Sequence, residues 1–97
     1  MRLDRGAFEF EWDAGNSSKN RKHGVEDSEA EEAFFDDRKL LLRDLRHSAN
    51  EERFVLLGKT KKARLLFVAF TKRGSRIRII SARDIKRSER PLYEEAA

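Results

Sequence analysis

His47, Glu51, Glu52 and Arg53 crowd one short stretch of this chain, and Arg76, Arg78 and Arg83 punctuate its last third. Together they are the equipment for cutting RNA. Attack by a 2′-hydroxyl on its neighbouring phosphate needs a base near the hydroxyl and an acid near the leaving oxygen. It also needs fixed positive charge on the phosphorane. Arginine suits the last role because its planar fork binds phosphate oxygens bidentately. Glutamate or histidine can serve as the base, and such a group contributes a factor of roughly 10²–10⁴.

Each residue also has a plainer reading. His47 in a polar loop can simply be solvated. Glu52 beside Arg53 can form a strand-edge ion pair of little worth. Arg76 and Arg78 can be the wet face of a half-exposed strand, with Lys72 and Arg73 in the turn before them. Arg83 falls by alternation on the face of Ile77 and Ile79, so it is partly buried or twisted outward, and Glu89 is one partner for it. Tyr93 lies four residues after Glu89 and shares its face if the segment is helical; it serves either in the core or as a contact to RNA.

No other chemistry is visible. His23 and His47 have no metal-ligand spacing around them, and the chain has no cysteine, so disulfides and thiolate metal sites are excluded. No metal and no cofactor are expected. Gly58-Lys-Thr resembles only the tail of a phosphate-binding Walker loop, whose first glycine is missing.

The charge is lopsided. Residues 53–97 carry thirteen Lys or Arg against four Asp or Glu, a net of +9, whereas residues 1–52 carry nine against fourteen, a net of −5. A sheet-forming half this basic is an electrostatic footprint for a polyanion such as RNA or DNA. Nothing resembles a signal peptide, and no apolar run approaches the length of a membrane span. A cytoplasmic protein without membrane contact is the expectation.

The 97 residues make one domain, 1–97. Phe8-Glu-Phe-Glu-Trp12 alternates like a half-buried strand. Asp13 is a candidate helix cap, a short polar helix is expected over Ser17 to His23, and Gly24 sits where a left-handed C-cap would. Ser28 with Glu31 reads as a capping box, opening a helix with Ala30, Ala33 and Phe34 on one face. Trp12, Phe34 and Phe35 are expected in the core. Strands follow at Leu40 to Arg43, Arg53 to Leu57, Arg64 to Thr71 and Arg76 to Ala82. The third is apolar on both faces and therefore central. Lys72-Arg-Gly-Ser75 reads as a tight hairpin. The chain ends in helical sequence over Asp84 to Glu95, with Pro91 placed in the first turn of a helix restarting at Ser88. This order gives an α+β fold with helices on one face of a mostly antiparallel sheet.

These landmarks together resemble the BrnT family of toxins from bacterial type II toxin–antitoxin pairs. The residues that carry the resemblance are Phe10-Glu-Trp-Asp13, Asn20, Lys22-His-Gly24, Glu29-Ala-Glu31 with Phe34 or Phe35, Asp44 to His47, Glu52-Arg53 and Gly58. They continue with Leu65 to Thr71, Arg76-Ile-Arg-Ile-Ile-Ser-Ala-Arg83, Glu89 and Tyr93. The resemblance implies a RelE-like fold: a mostly antiparallel sheet of four to five strands, two N-terminal helices and one C-terminal helix. It implies a metal-independent endoribonuclease that arrests translation. It implies a BrnA-type ribbon-helix-helix antitoxin, a heterotetramer with two copies of each chain, and operator DNA bound through the antitoxin. On these grounds Arg53 and Arg83 are expected as phosphate-binding or transition-state groups, His47 and Glu52 as acid–base groups, and Arg76, Arg78, Lys72, Arg73 and Tyr93 as RNA contacts. Two other readings use the same basic half: a nucleic-acid-binding module without catalysis, and a domain that docks an acidic protein.

Overall fold

The apolar–acidic alternation at the start of the chain forms strand β1 (Glu9–Glu11), and the computed structural model describes residues 9–44 and 51–96. Helix α1 (Ala14–Lys22) follows at once, three residues earlier than expected. Its cap is Asp13, whose carboxylate accepts from the N–H groups of Gly15 and Asn16 at 2.9 and 3.3 Å, while Asn16 Oδ1 accepts from Asp13 N–H at 2.8 Å. Such reciprocal capping satisfies donors that the first turn leaves orphaned. α1 has no apolar face. It is anchored by polar side chains instead: Asn16, 2% exposed, donates to the carbonyls of Glu11 and Ile79, both at 2.9 Å. The helix ends at Gly24, which takes the left-handed conformation (φ +69°) that a residue without Cβ adopts cheaply.

Helix α2 (Asp27–Ala33) begins earlier than the Ser28–Glu31 pattern predicts. The N–H of Glu26 donates to Glu29 Oε1 at 3.0 Å. Glu31, the expected capping partner, instead accepts from Trp12 Nε1 at 2.6 Å. Ala30, Ala33 and Phe34 are fully buried, as their spacing predicts. Phe35 is not: the helix ends before it, and it is 37% exposed rather than in the core.

Strands β2 (Leu40–Asp44), β3 (Arg53–Lys59), β4 (Leu65–Arg73) and β5 (Arg76–Asp84) form an antiparallel meander. The sheet order is β1-β5-β4-β3-β2, and β1 pairs with β5 in parallel, so the α+β fold carries a mixed five-stranded sheet. β4 is central, and the two-residue turn after it opens on Gly74 at φ +59°.

Leu56, Leu66, Val68, Phe70, Ile77, Ile79 and Ala82 form one face of the sheet, buried beneath Val25, Ala30, Ala33 and Phe34. Gly58 lets α2 come this close: a Cβ there would lie 2.5 Å from the carbonyl oxygen of Ala33. The opposite face buries Val55, Leu57 and Leu65 beneath Tyr93 of helix α3 (Arg90–Ala96). The expectation that all helices lie on one face is therefore corrected. β5 continues to Asp84 and a turn at 87–89 carries the chain onward before α3 begins, with Pro91 in its first turn.

A second correction concerns parity. The β4–β5 register shifts between Ala69 and Phe70, pairing Ala69 with Ser81 and Phe70 with Ile79. Ile80 is the extra residue of a β-bulge. Ile77 and Ile79 before it and Ala82 after it all face the same core, so Arg83 is turned to the opposite face, opposite Phe67.

Candidate functional site

The bulge and the sheet register place three arginines on the face turned away from α2. Arg53 and Arg78 both pair with Thr71, from either side of β4, and Arg73 comes off the end of the same strand. They line a depression of about 320 Å³ together with Glu51, Lys19 and the bulged Ile80. Arg78 is the most firmly held. It donates to Asp13 at 2.8 and 3.2 Å and to Glu11 at 3.2 Å. These contacts keep its guanidinium charged and hold the Asp13 carboxyl below its ordinary range, chiefly through the side-chain bond between them. Arg73 donates to Glu11 at 3.2 Å and to Glu51 at 3.4 Å, so Glu11 bridges two arginines. Arg76 lies outside the depression, 63% exposed and 3.8 Å from Glu9.

Glu52 and Lys72 sit elsewhere. Alternation carries them to the other side of the sheet end, where they line a larger depression of about 810 Å³ with Leu41 and Phe54. The Glu52 carboxylate lies 3.5 Å from Arg43, both side chains being 58% exposed, an arrangement worth little. Neighbours in sequence, Glu52 and Arg53 are thus turned into different depressions. His47 falls outside the described residues.

Arg83 stands on the arginine face, but four residues along β4 from Thr71, about 13 Å at roughly 3.3 Å per residue. That is too far to share one phosphate with Arg53. Its guanidinium lies 4.0 Å over the Phe67 ring and grips Glu89 through two bonds of 2.9 and 2.8 Å. The partnership foreseen between Arg83 and Glu89 is present, and it draws the Glu89 carboxyl below its ordinary range. Tyr93 is 5% exposed, and its hydroxyl donates to Asp36 Oδ2 at 2.6 Å. Burial and this bond push its pKa up to about 12. Its ring is packing for the second core, with no open face on which a base could stack.

Two residues that knit the other end of the sheet to the helices carried no signal in the sequence. Arg64 donates to Asp84 at 2.6 and 3.1 Å, to both oxygens of Glu29 at 3.2 Å and to the Gly24 carbonyl at 3.0 Å. It ties the α1–α2 turn, α2 and the end of β5 into one corner. Asp36 accepts from Tyr93 and from the N–H groups of Arg38 and Lys59. Apart from the local bond from Arg38, both act through partners 20 or more residues away, which no local pattern announces. Among the described residues, no group of three or more His, Cys, Asp or Glu gathers as a metal site.

This is a small mixed-sheet domain with arginines converging on one sheet face, Arg73 and Arg78 steadied by carboxylates, an arrangement that suits a phosphate backbone. The family model for the ribonuclease toxin BrnT of type II toxin–antitoxin systems matches residues 12–89, and the chain belongs to that family. It is accordingly a ribonuclease toxin, with RNA as substrate and an antitoxin as partner. No curated protein matches the chain. No helix among the described residues is long and apolar enough to cross a membrane.

Proposed function

We propose that the chain cuts RNA internally in the cytoplasm, by attack of a 2′-hydroxyl on the adjacent phosphate with no metal ion in the chemical step, and so arrests translation. The observation that carries this reading is the convergence of Arg53, Arg73 and Arg78 on one depression with a carboxylate at its edge. Arg53 is assigned to the phosphorane, where preorganised positive charge acts on the transition state. Arg78, fixed by Asp13 and Glu11, gives the floor of the depression its charge. Arg83 is assigned to a second phosphate along the strand, exchanging Glu89 for the RNA. Arg76 flanks the path on this face, and Lys72 is assigned to RNA that passes round the sheet end into the other depression. His47 and Glu52 stay acid–base candidates from their place beside Arg53 in the sequence.

In this reading the partner is a BrnA-type antitoxin with a ribbon-helix-helix domain. It covers the arginine face, assembles two copies of each chain, and binds operator DNA to repress the operon. The test is expression without the antitoxin, followed by cleavage of total RNA by the purified chain in excess EDTA. Growth arrest and EDTA-resistant cleavage are expected, both abolished by the antitoxin. Arg53→Ala and Arg83→Ala should each restore growth with melting unchanged; toxicity of both folded variants would defeat the assignment. A binding module without catalysis is favoured by one observation, that Arg78 and Arg83 are already matched by carboxylates. It requires salt-sensitive RNA binding with no cleavage, with or without ribosomes.

A further inference from the structure

We infer that Glu51 is the carboxylate that takes the 2′-hydroxyl proton in this site. The inference rests on the ribonuclease reading above and names its base.

Position comes first. Glu51 lies two residues before Arg53, so alternation puts both on one side of the chain, and both line the arginine depression. Glu52 has the opposite parity and lies with Arg43, facing away from the three arginines.

Availability comes second. Glu11 already accepts from Arg73 and Arg78. Asp13 accepts from Arg78 and from the first N–H groups of α1. Among the described residues Glu51 makes one ion pair, at 3.4 Å with Arg73 Nε, and its side chain is 40% exposed. It is the depression's carboxylate with lone pairs to spare for a substrate hydroxyl, and a general base must lie within hydrogen-bond reach of the proton it takes.

Orientation comes third. Arg73 uses Nε for Glu51 and a terminal nitrogen for Glu11. Glu11 is in turn fixed on Arg78, whose register with β1 is set by the pairing of Glu11 with Arg78. Glu11 and Arg73 are therefore positioning residues. The step balances without a co-reactant. Glu51 takes the 2′-hydroxyl proton as the 2′-oxygen bonds to phosphorus. The bond from phosphorus to the 5′-oxygen breaks, and that oxygen takes a proton from water. Glu51 returns its proton to water, leaving a 2′,3′-cyclic phosphate and a 5′-hydroxyl.

The experiment is single-turnover cleavage of a short RNA across pH by wild type, Glu51→Gln, Glu51→Asp and Glu52→Gln. Binding is measured in parallel on the same RNA carrying 2′-O-methyl groups. Glu51→Gln should lose a factor of roughly 10²–10⁴ in rate, with binding and melting unchanged and the acid-side limb of the pH profile gone. Glu51→Asp should be slow but keep that limb, and Glu52→Gln, the other acid–base candidate, should keep a rate well above that of Glu51→Gln. Cleavage by Glu51→Gln at the wild-type rate, or with the acid limb intact, overturns the assignment and leaves the ribonuclease reading standing. A wild type that leaves RNA whole, with and without ribosomes, overturns both.

Discussion

Replacing Gly58 with alanine tests how α2 is seated on the sheet. The new methyl would stand 2.5 Å from the Ala33 carbonyl oxygen, 2.8 Å from Leu56 Cδ2 and 3.1 Å from Ala33 Cβ. The first of these is backbone, and that oxygen is already engaged by the Asp36 N–H at 3.3 Å. Leu56 can turn its side chain, but Ala33 yields only if the helix lifts. Recovering an ordinary separation of about 3.5 Å requires a displacement of about 1 Å, which forfeits a quarter to a half of the dispersion energy at each contact it opens. Those contacts bury Ala30, Ala33 and Phe34 without residual exposure. Overpacking of this kind costs about 1–3 kcal/mol, and backbone obstruction places Gly58→Ala at the upper end. The lower entropy of the unfolded alanine chain offsets roughly 0.4–1 kcal/mol. A net loss of about 2 kcal/mol lowers the melting temperature of a domain this size by about 8–16 °C. Thermal unfolding followed by circular dichroism, with urea titration to check that the slope is unchanged, measures it. A variant melting within about 2 °C of wild type would refute the argument that α2 rests directly on this glycine.

Tyr93→Phe removes one donor from Asp36 and should cost about 1.5–3 kcal/mol, the range for a hydrogen bond to a charged group. Because the folded state holds the Tyr93 proton from its ordinary value of 10.0 up to about 12, wild type should lose stability as pH rises through that window, and the variant should lose less. Acid behaves in the opposite sense. Asp84 and Glu89 are held below their ordinary 3.8 and 4.5, first by Arg64 and by Arg83 respectively. Their stabilisation is present above those values and is lost as pH falls through the lower folded ones. Melting temperatures should be level down to about pH 5 and fall below it, and Arg64→Ala should flatten that fall while lowering stability at neutral pH. For RNA, contacts by Lys19, Arg53, Arg73 and Arg76 alone predict a log–log salt slope of about −3, whereas engagement of every cation in residues 53–97 predicts about −9. Fluorescence anisotropy on a 2′-O-methyl strand separates the two, and a slope near the second value means that RNA is engaged well beyond the depression.

Periodicity carried most of the fold, and it failed where a partner distant in sequence decides the outcome. The four strands after residue 39 and the buried Ala30, Ala33 and Phe34 were legible because each signal is local: alternation, helical spacing, an Arg-Gly-Ser turn. The Asp13 cap of α1 was legible, but its first turn was not, because its anchor is Asn16, which satisfies carbonyls of two different strands and has no apolar stripe behind it. The Ser28 cap was misread because Glu31 is claimed by Trp12, 19 residues earlier. The side chosen by Arg83 was misread because a bulge adds one residue, and one residue reverses every later side chain. The stretch from Glu51 to Arg53 was a candidate from residue type alone. Which of its two carboxylates accompanies Arg53 depends on where the strand begins its alternation, and composition does not carry that.

The lopsided charge takes on a different meaning once the strands are paired. β1 runs parallel to β5 with Glu9 beside Arg76 and Glu11 beside Arg78, so the Glu-Phe-Glu and Arg-Ile-Arg alternations are complementary halves of one surface. Opposite charges directly across a strand pair stabilise it, and like charges destabilise it. A basic first strand would therefore be repelled from this edge, and a neutral one would lose the attraction. Asp13 extends the match to Arg78, and Glu29 and Asp84 supply it for Arg64. Much of the excess of acid in the first half and of base in the second is thus an instruction for intramolecular pairing. Within the depression, what is left for a polyanion is a local imbalance. In the depression, Lys19, Arg53, Arg73 and Arg78 face Glu51, with Glu11 drawn in from β1. An imbalance of that size attracts one or two phosphates, and carboxylates on either side fix the directions of the guanidiniums before any RNA arrives. Preorganised charge acts on a transition state with little reorganisation at the moment of reaction, whereas a uniformly basic face would bind many polyanions and orient none. If the proposed site is right, the same acids that lower the net field favour a reacting phosphate over a merely bound one.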